Sequence, residues 1–392
     1  MIARTMEQKL KSLAAAYPLV TLTGPRQSGK TTLCRSAFPD YQYLSFEDPD
    51  VREFATTDAR RFLQTYADRC IFDEVQRVPN LFSYLQSHVD RTDRSGQYIL
   101  TGSQNFLLAE NVTQSLAGRT ALLNLLPFSM AELDQAGLLS SHLDEVLFQG
   151  GYPRLYDHAI PPPDFYPYYI TTYVERDVRL LKNITDLSLF DRFLKLCAGR
   201  IGSQVNLSSL ANDCGITHNT ARAWLSVLEA SYILFFLKPY FRNFNKRLVK
   251  SPKLYFYDTG LACSLLGLEE ARQLSSHHLR GELFESLMLS ELVKCRSNQG
   301  RQPNIYYWRD KAGHEVDCLI EKGDELIAVE FKSGQTIAND YFSGLAYWRK
   351  LTGPGKRYVV YGGGKSQERS GGVVLPWRNV GETMTAMPGL AC

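Results

Sequence analysis

The chain is 392 residues long, too much for one ordinary hydrophobic core, so about two to four domains are expected. With 44% hydrophobic and 22% charged residues it has the composition of a soluble globular protein. The formal net charge of +3 is close to balance, so any affinity for nucleic acid has to come from local basic patches. Residues 1–10 have no apolar core of signal-peptide length and no run of about eighteen apolar residues occurs, so no membrane is expected and the location expected is cytoplasmic. The eight cysteines are scattered without C-x-x-C pairs or zinc-ligand spacing, the pattern of reduced, buried thiols.

The apolar run Leu19 to Leu22 reads as a strand and leads into Gly24-Pro25-Arg26-Gln27-Ser28-Gly29-Lys30-Thr31-Thr32, followed by a helix-compatible segment. Strand, glycine-bearing loop and helix are the setting of a G-x-x-x-x-G-K-[ST] phosphate loop, whose backbone N–H groups converge on an anion at a helix N-terminus. Lys30 is expected to reach the β- and γ-phosphates of a bound ATP or GTP, and the Thr31 hydroxyl to ligate Mg2+. Cys70 to Asp73 reads as a second buried parallel strand ending in Asp73-Glu74. Asp73 would hold the Mg2+ through water and Glu74 would polarise the attacking water, which favours hydrolysis over binding alone.

A third strand, Gln97 to Thr101, delivers Gly102-Ser103-Gln104, so Thr101 or Ser103 is the candidate sensor of the γ-phosphate. Arg119, just before a strand from Ala121 to Leu126, is the first candidate for an arginine finger, in cis or across a subunit interface, with Arg154 and Arg176 behind it. Pro161-Pro162-Pro163 reads as a rigid break, and a tyrosine-rich helix from Phe165 to Leu181 is expected beyond it. That helix could be a lid beside the nucleotide.

Leu207 to Asp213, the turn Cys214-Gly215-Ile216, an N-cap at Thr217 and a helix from His218 to Ala230 read as helix-turn-helix. Strands from Ile233 to Leu237 and from Leu248 onward could pair as a wing. His218, Asn219 and Arg222 sit at the start of the second helix, where base edges are usually read. Arg242, Lys246 and Arg247, interleaved with aromatics, suit a phosphate backbone or a stacked base. A spacer that contacts only protein explains the same pattern equally well.

Gly281 to Cys295 is an amphipathic helix carrying Glu285. Strands follow at Ile305 to Trp308, Glu315 to Ile320 and Leu326 to Lys332, then a helix from Ile337 to Leu351 and a last strand from Arg357 to Tyr361. Alternation puts Glu330 and Lys332 on one face, with Asp317 converging from the adjacent antiparallel strand. Glu285, Asp317 and Glu330 are candidate ligands for a divalent cation, with Lys332 orienting or activating a water. Helix, three strands, helix and strand around D…ExK resemble the PD-(D/E)xK nuclease fold. The same residues could instead serve binding or form a polar network.

Together these motifs resemble a prokaryotic family of AAA-type ATPases with a C-terminal domain of unassigned function. The resemblance also rests on Leu116-Ala117-Gly118-Arg119, Gly150-Gly151-Tyr152-Pro153, Tyr173 to Asp177, Tyr240 to Asn243, Lys253 to Gly260, Gly281 to Glu285 and Glu330 to Gly334. It implies an α/β chain: a P-loop NTPase parallel-sheet domain over 1–145, a helical lid or linker over 146–205, a winged helix over 206–255, a C-terminal α/β nuclease-like domain over 256–380 and a tail over 381–392. It implies ATP and Mg2+ as ligands, with DNA as the expected partner; a homo-oligomer and a protein partner stay open. Asp258 takes only a helix-capping role. The function expected is ATP hydrolysis coupled to DNA binding or remodelling, the alternatives being a nucleotide-gated switch or scaffold and a metal-dependent nuclease.

Overall fold

The computed structural model describes residues 2–92, 94–103, 116–173, 186–241 and 251–385. Two compact units emerge: the chain up to Phe128 together with Ala230–Tyr232 and Ser297–Arg301, and the remainder.

In the first unit the strands are β1 (Leu19–Thr23), β2 (Gln42–Ser45), β3 (Cys70–Asp73), β4 (Tyr98–Gly102) and β5 (Thr120–Asn124). They form one parallel sheet in the order β2-β3-β4-β1-β5. Alternation along each strand feeds two cores, as a sheet covered on both faces requires. Val20, Leu22, Ile71 and Ile99 meet Leu10 of helix α1 (Glu7–Ala14) and Leu33 of helix α2 (Lys30–Ala37). Leu19, Phe72, Tyr98 and Leu100 meet Phe62 and Leu85 on the other side. Strand β4 starts one residue after its expected start and β5 one residue before. Register sets Thr23 beside Gly102 and Asn124, and Phe72 beside Leu100. The segments leaving β1, β3 and β4 therefore emerge at one sheet edge.

In the second unit the triple proline does not break the chain. Pro161 is the N-cap and Pro162 the first residue of the helix Pro162–Tyr169, because a ring-locked φ near −65° suits a first helical turn. Residues 174–185 lie outside the described residues, so the expected helix to Leu181 is seen only in its first part. Helices Leu187–Ala198, Leu207–Cys214 and His218–Ala230 follow, then an antiparallel pair, β6 (Leu234–Leu237) and β7 (Lys253–Phe256). Gln204 bridges Lys253 on the other side of β7.

Helix Arg280–Asn298 leads into a six-stranded sheet formed by β8 (Ile305–Arg309), β9 (Glu315–Lys322), β10 (Glu325–Lys332), β11 (Arg357–Tyr361), β12 (Gln367–Arg369) and β13 (Gly372–Pro376). Its order is β12-β13-β11-β10-β9-β8, with β8, β9 and β10 antiparallel and β11 parallel to both β10 and β13. Trp308, Leu319, Ala328, Leu345, Trp348 and Val359 pack its core.

Two expectations are corrected here. The crossover helix runs Ser343–Thr352 behind a 3-10 turn at Asn339–Phe342, and β11 is not the last strand. The short hairpin β12–β13 turns at Ser370-Gly371, and at Gly372, the first residue of β13, a Cβ would lie 2.6 Å from the Arg357 carbonyl oxygen, so only glycine lets β13 approach β11.

Among the described residues no helix is long and apolar enough to cross a membrane. Cys34, Cys70, Cys197, Cys214, Cys263 and Cys318 are free and buried, as expected of reduced thiols, whereas Cys295 is disulfide-bonded.

Candidate nucleotide site and the carboxylate cluster

The loop between β1 and α2 is shaped by its glycines. Gly24 has φ +146°, and a Cβ there would stand 2.1 Å from the Leu125 carbonyl oxygen. Gly29, at φ 90°, is the left-handed N-cap of α2. Lys30 opens that helix with its ammonium group buried, donating to the carbonyl oxygens of Gly24 at 3.0 Å and Pro25 at 2.7 Å. Burial lowers its pKa to about 8, against the pull of Glu74 and Asp73. The Ser28 hydroxyl is buried without a hydrogen-bond partner. An orphaned donor in a loop that opens onto a helix N-terminus fits an anionic ligand.

Asp73 and Glu74 meet this loop as their place in the sequence implies. Asp73 Oδ2 accepts hydrogen bonds from Thr31 Oγ1 at 2.9 Å and Tyr43 OH at 2.7 Å, and its other oxygen accepts one from Thr101. Glu74 adopts a left-handed backbone (φ 56°) and accepts from Ser103 Oγ at 3.0 Å and from Gln76. Both sensor candidates thus touch the acidic pair, Thr101 on Asp73 and Ser103 on Glu74. The donor set of Thr31 and Asp73 is the hard oxygen chemistry that Mg2+ takes.

Sequence reasoning missed two contributors. Tyr43 comes from edge strand β2, and only the sheet order brings it to Asp73. Arg4 donates at 2.7 Å to the carbonyl oxygens of both Ser28 and Leu126, bracing the loop from behind. Neither lies in a recognisable motif.

Arg119 is a correction as a finger acting on its own chain. It precedes β5, so the parallel register puts it at the edge opposite the phosphate loop, about 16 Å away along the strand. There its guanidinium makes a two-pronged pair with Asp90 at 2.6 and 2.9 Å. Only a role across a subunit interface is left to it. Arg154 is exposed in the helix Pro153–Asp157 of the second unit, and Arg176 lies outside the described residues.

Thr217 Oγ1 accepts from the Thr220 amide at 3.1 Å, and His218, Asn219 and Arg222 are exposed. Arg242, Lys246 and Arg247 lie outside the described residues. Asp258 does cap its helix, accepting from the Leu261 amide at 2.9 Å. It also accepts from Tyr166 OH at 2.6 Å and from the Gly151 amide at 2.7 Å, tying the Gly150-Gly151-Tyr152-Pro153 turn to the helix Thr259–Leu265.

In the C-terminal sheet Asp317, Glu330 and Lys332 converge as alternation implies. Lys332 Nζ donates to Asp317 Oδ2 at 3.2 Å and Glu330 Oε2 at 2.8 Å, and the Phe331 amide also donates to Asp317 at 2.9 Å. Glu285 is held by Lys253 at 3.2 Å and by the Tyr255 hydroxyl. Burial and the Asp317 charge raise the Glu285 pKa to about 7, with Lys253 opposing them. Burial and the same charge raise Glu330 well above the carboxylate range. Burial would raise Asp317 too, yet Lys332 and Lys253 hold it below its ordinary value.

The expectation that Glu285, Asp317 and Glu330 hold a metal is not met. Among the described residues no three His, Cys, Asp or Glu side chains come together as a metal site. The Lys253 and Lys332 ammonium groups and the Tyr255 hydroxyl pair with Glu285 Oε1, Asp317 Oδ2 and Glu330 Oε2 instead, while Glu330 Oε1 is buried without a partner.

Comparison with known proteins places three family models in succession along the chain. An AAA domain matches residues 16–134, a domain of unknown function (DUF8612) residues 140–272, and a second domain of unknown function (DUF4143) residues 280–380. An uncharacterized protein of Mycobacterium tuberculosis is 30% identical over 340 residues, spanning 85% of this chain and 74% of that protein. An uncharacterized protein of Methanocaldococcus jannaschii is 24% identical over 371 residues, spanning 85% and 79%. Overlap with solved structures is slight. A Walker-type ATPase of Pyrococcus abyssi aligns at TM-score 0.43 and 15% identity over 68% of this chain and 96% of that one. AMPPCP-bound DnaA from Aquifex aeolicus aligns at TM-score 0.31 and 16% identity over 57% and 85%.

Proposed function

Since the chain belongs to one family with the uncharacterized mycobacterial protein and carries an AAA domain, we propose that it is an ATPase coupling nucleotide turnover to DNA binding or remodelling. The observation that carries the ATPase reading is the meeting of Thr31, Asp73, Glu74, Thr101 and Ser103 at one sheet edge beside the phosphate loop.

In this reading the amides of 24–32 cradle the phosphates, and Lys30 exchanges its two carbonyl partners for phosphate oxygens. Thr31 and Asp73 would hold Mg2+, which when bound neutralises charge on the phosphoryl oxygens. Glu74 orients the attacking water and accepts its proton, while Ser103 keeps the Glu74 carboxylate in place. Glu74→Gln is then expected to retain nucleotide and lose phosphate release. Turnover equal to that of the native chain rejects the assignment.

Support for DNA as partner is the exposed face of His218, Asn219 and Arg222 at the start of a helix, with the hairpin β6–β7 next in the chain. Anisotropy of a labelled duplex at rising salt tests it. Affinity falling steeply with salt, and lost in the Arg242/Lys246/Arg247→Ala variant, fits the proposal, whereas no binding at low salt removes it.

One observation favours a second reading for the C-terminal domain. Lys253 pairs with Glu285 and Lys332 with Asp317 and Glu330, as suits an inert nuclease-like fold in a nucleotide-gated switch that binds a protein partner. Failure of DNA binding with ATPase activity intact selects that reading. Sizing with and without nucleotide tests for the homo-oligomer that a trans-acting Arg119 requires.

A further inference from the structure

Lys253 pairs with Glu285 and acts on Asp317 through its charge, and it is among the most constrained charges of the described residues. Its side chain is 6% exposed, and it reaches the cluster from β7, outside the sheet that carries the D…ExK residues. Its ammonium group lies 3.2 Å from Glu285 Oε1, in contact with Glu315 Oε1, and 5.5 Å from the centre of the Tyr307 ring. The second Glu315 oxygen accepts from Arg309 at 2.9 Å. Glu285 Oε1 additionally accepts from Tyr255, two residues along the same strand as Lys253.

We propose that Lys253 is the resident cation of this cluster, an ammonium standing between Glu285 and Glu315 where a divalent metal ion would have to sit. The carboxylates then lock the hairpin β6–β7 to the C-terminal sheet, and the native cluster binds no divalent cation.

The chemistry follows from the donors in place. A hard divalent cation needs several carboxylate or carbonyl oxygens free of competing protons. Here Glu285 Oε1, both Glu315 oxygens and Asp317 Oδ2 each accept at least one N–H or O–H. A buried lysine is in turn tolerated only with its charge paired, and two carboxylates within reach supply that. Nor can the lysine swing away cheaply. Pairing with Leu237 on one side and a bridge to Gln204 on the other fix its backbone, and its side chain is enclosed, 6% exposed. Loss of the positive charge would leave Glu285 with the Tyr255 hydroxyl and Glu315 with Arg309 alone, two half-buried carboxylates beside Asp317 that attract a cation.

The inference is independent of the nucleotide reading, and its test is arranged to stay so. All titrations use the full-length chain carrying Asp73→Asn, so that the phosphate-loop site contributes no metal binding, and Mn2+ is followed by electron paramagnetic resonance. The chain with Lys253 intact is expected to bind no Mn2+ that Asp317→Asn removes. Lys253→Met, similar in length and uncharged, is expected to gain a Mn2+ site, abolished by adding Glu285→Gln. Lys253→Arg, which keeps the charge, is expected to gain none. Mn2+ bound by the Lys253 chain and lost with Asp317→Asn overturns the proposal, as does a folded Lys253→Met chain with no gain. If Lys253→Met cannot be purified folded, the Lys253 and Asp317→Asn chains still decide.

Discussion

At the scale of single residues, Gly24 and Lys30 carry the sharpest consequences. Gly24→Ala would force a Cβ against the Leu125 carbonyl oxygen in a backbone region that side chains avoid. The strain alone is about 1–3 kcal/mol, so a lower melting temperature and loss of nucleotide uptake by calorimetry are expected together. Lys30 supplies a pH test with two opposite signs. Its native pKa of about 8 lies below its ordinary value, so between about pH 8 and 10.5 the unfolded chain binds the extra proton. Over that window the Lys30 contribution to the stability of the empty protein rises with pH. Phosphate binding needs the charged form. Nucleotide affinity is therefore expected to be level below pH 8 and to fall above it, with proton uptake on binding. Melting curves and titrations across pH 7 to 10 check both slopes, and Lys30→Ala should remove both. These residues were legible from the motif because a phosphate loop is local: six residues of backbone set its shape. Tyr43 and Arg4 were not legible, since each acts on the site from a segment with no sequence signal of its own.

At the scale of elements, the helix His218–Ala230 begins on a single cap. Thr217→Ala leaves the Thr220 amide without its partner and is expected to cost about 1 kcal/mol, read as a lower melting temperature. Because His218 and Asn219 sit in that first turn, with Arg222 next to it, the same variant should weaken duplex binding without altering ATP turnover. Capping and helical period announced this element to the residue. Period failed in two other places. The crossover helix begins six residues later than its apolar pattern suggests, because Asn339–Phe342 turn as a 3-10 segment first. Hairpin β12–β13 escaped notice since Gln367–Arg369 is a fully exposed edge strand without alternation. Its existence depends on pairing with β13, not on its own residues.

At the scale of the whole molecule, parallel topology explains both the best and the worst of the sequence reading. The order β2-β3-β4-β1-β5 collects the ends of β1, β3 and β4 at one edge, which is why motifs dozens of residues apart form one site. The same topology sends the start of β5, and Arg119 with it, to the far edge. Arg119→Ala is accordingly expected to leave ATP turnover unchanged in dilute, monomeric protein. A loss confined to concentrations at which the chain self-associates would identify a finger acting in trans, and a loss at every concentration would contradict the placement.

What the amino-acid order determined by itself was the chemistry that travels in short segments: the phosphate loop, the acidic pair after an apolar strand, the capped helix and the alternation that aligns Asp317, Glu330 and Lys332. Tertiary structure alone decided which charges meet. Lys253 and Glu315 close on Glu285 from separate strands, and Tyr43 reaches Asp73 across a sheet edge. The physical reason is range. Backbone propensity acts over a few neighbouring residues, whereas the partner of a buried charge is whichever group the packed strands bring within about 3 Å.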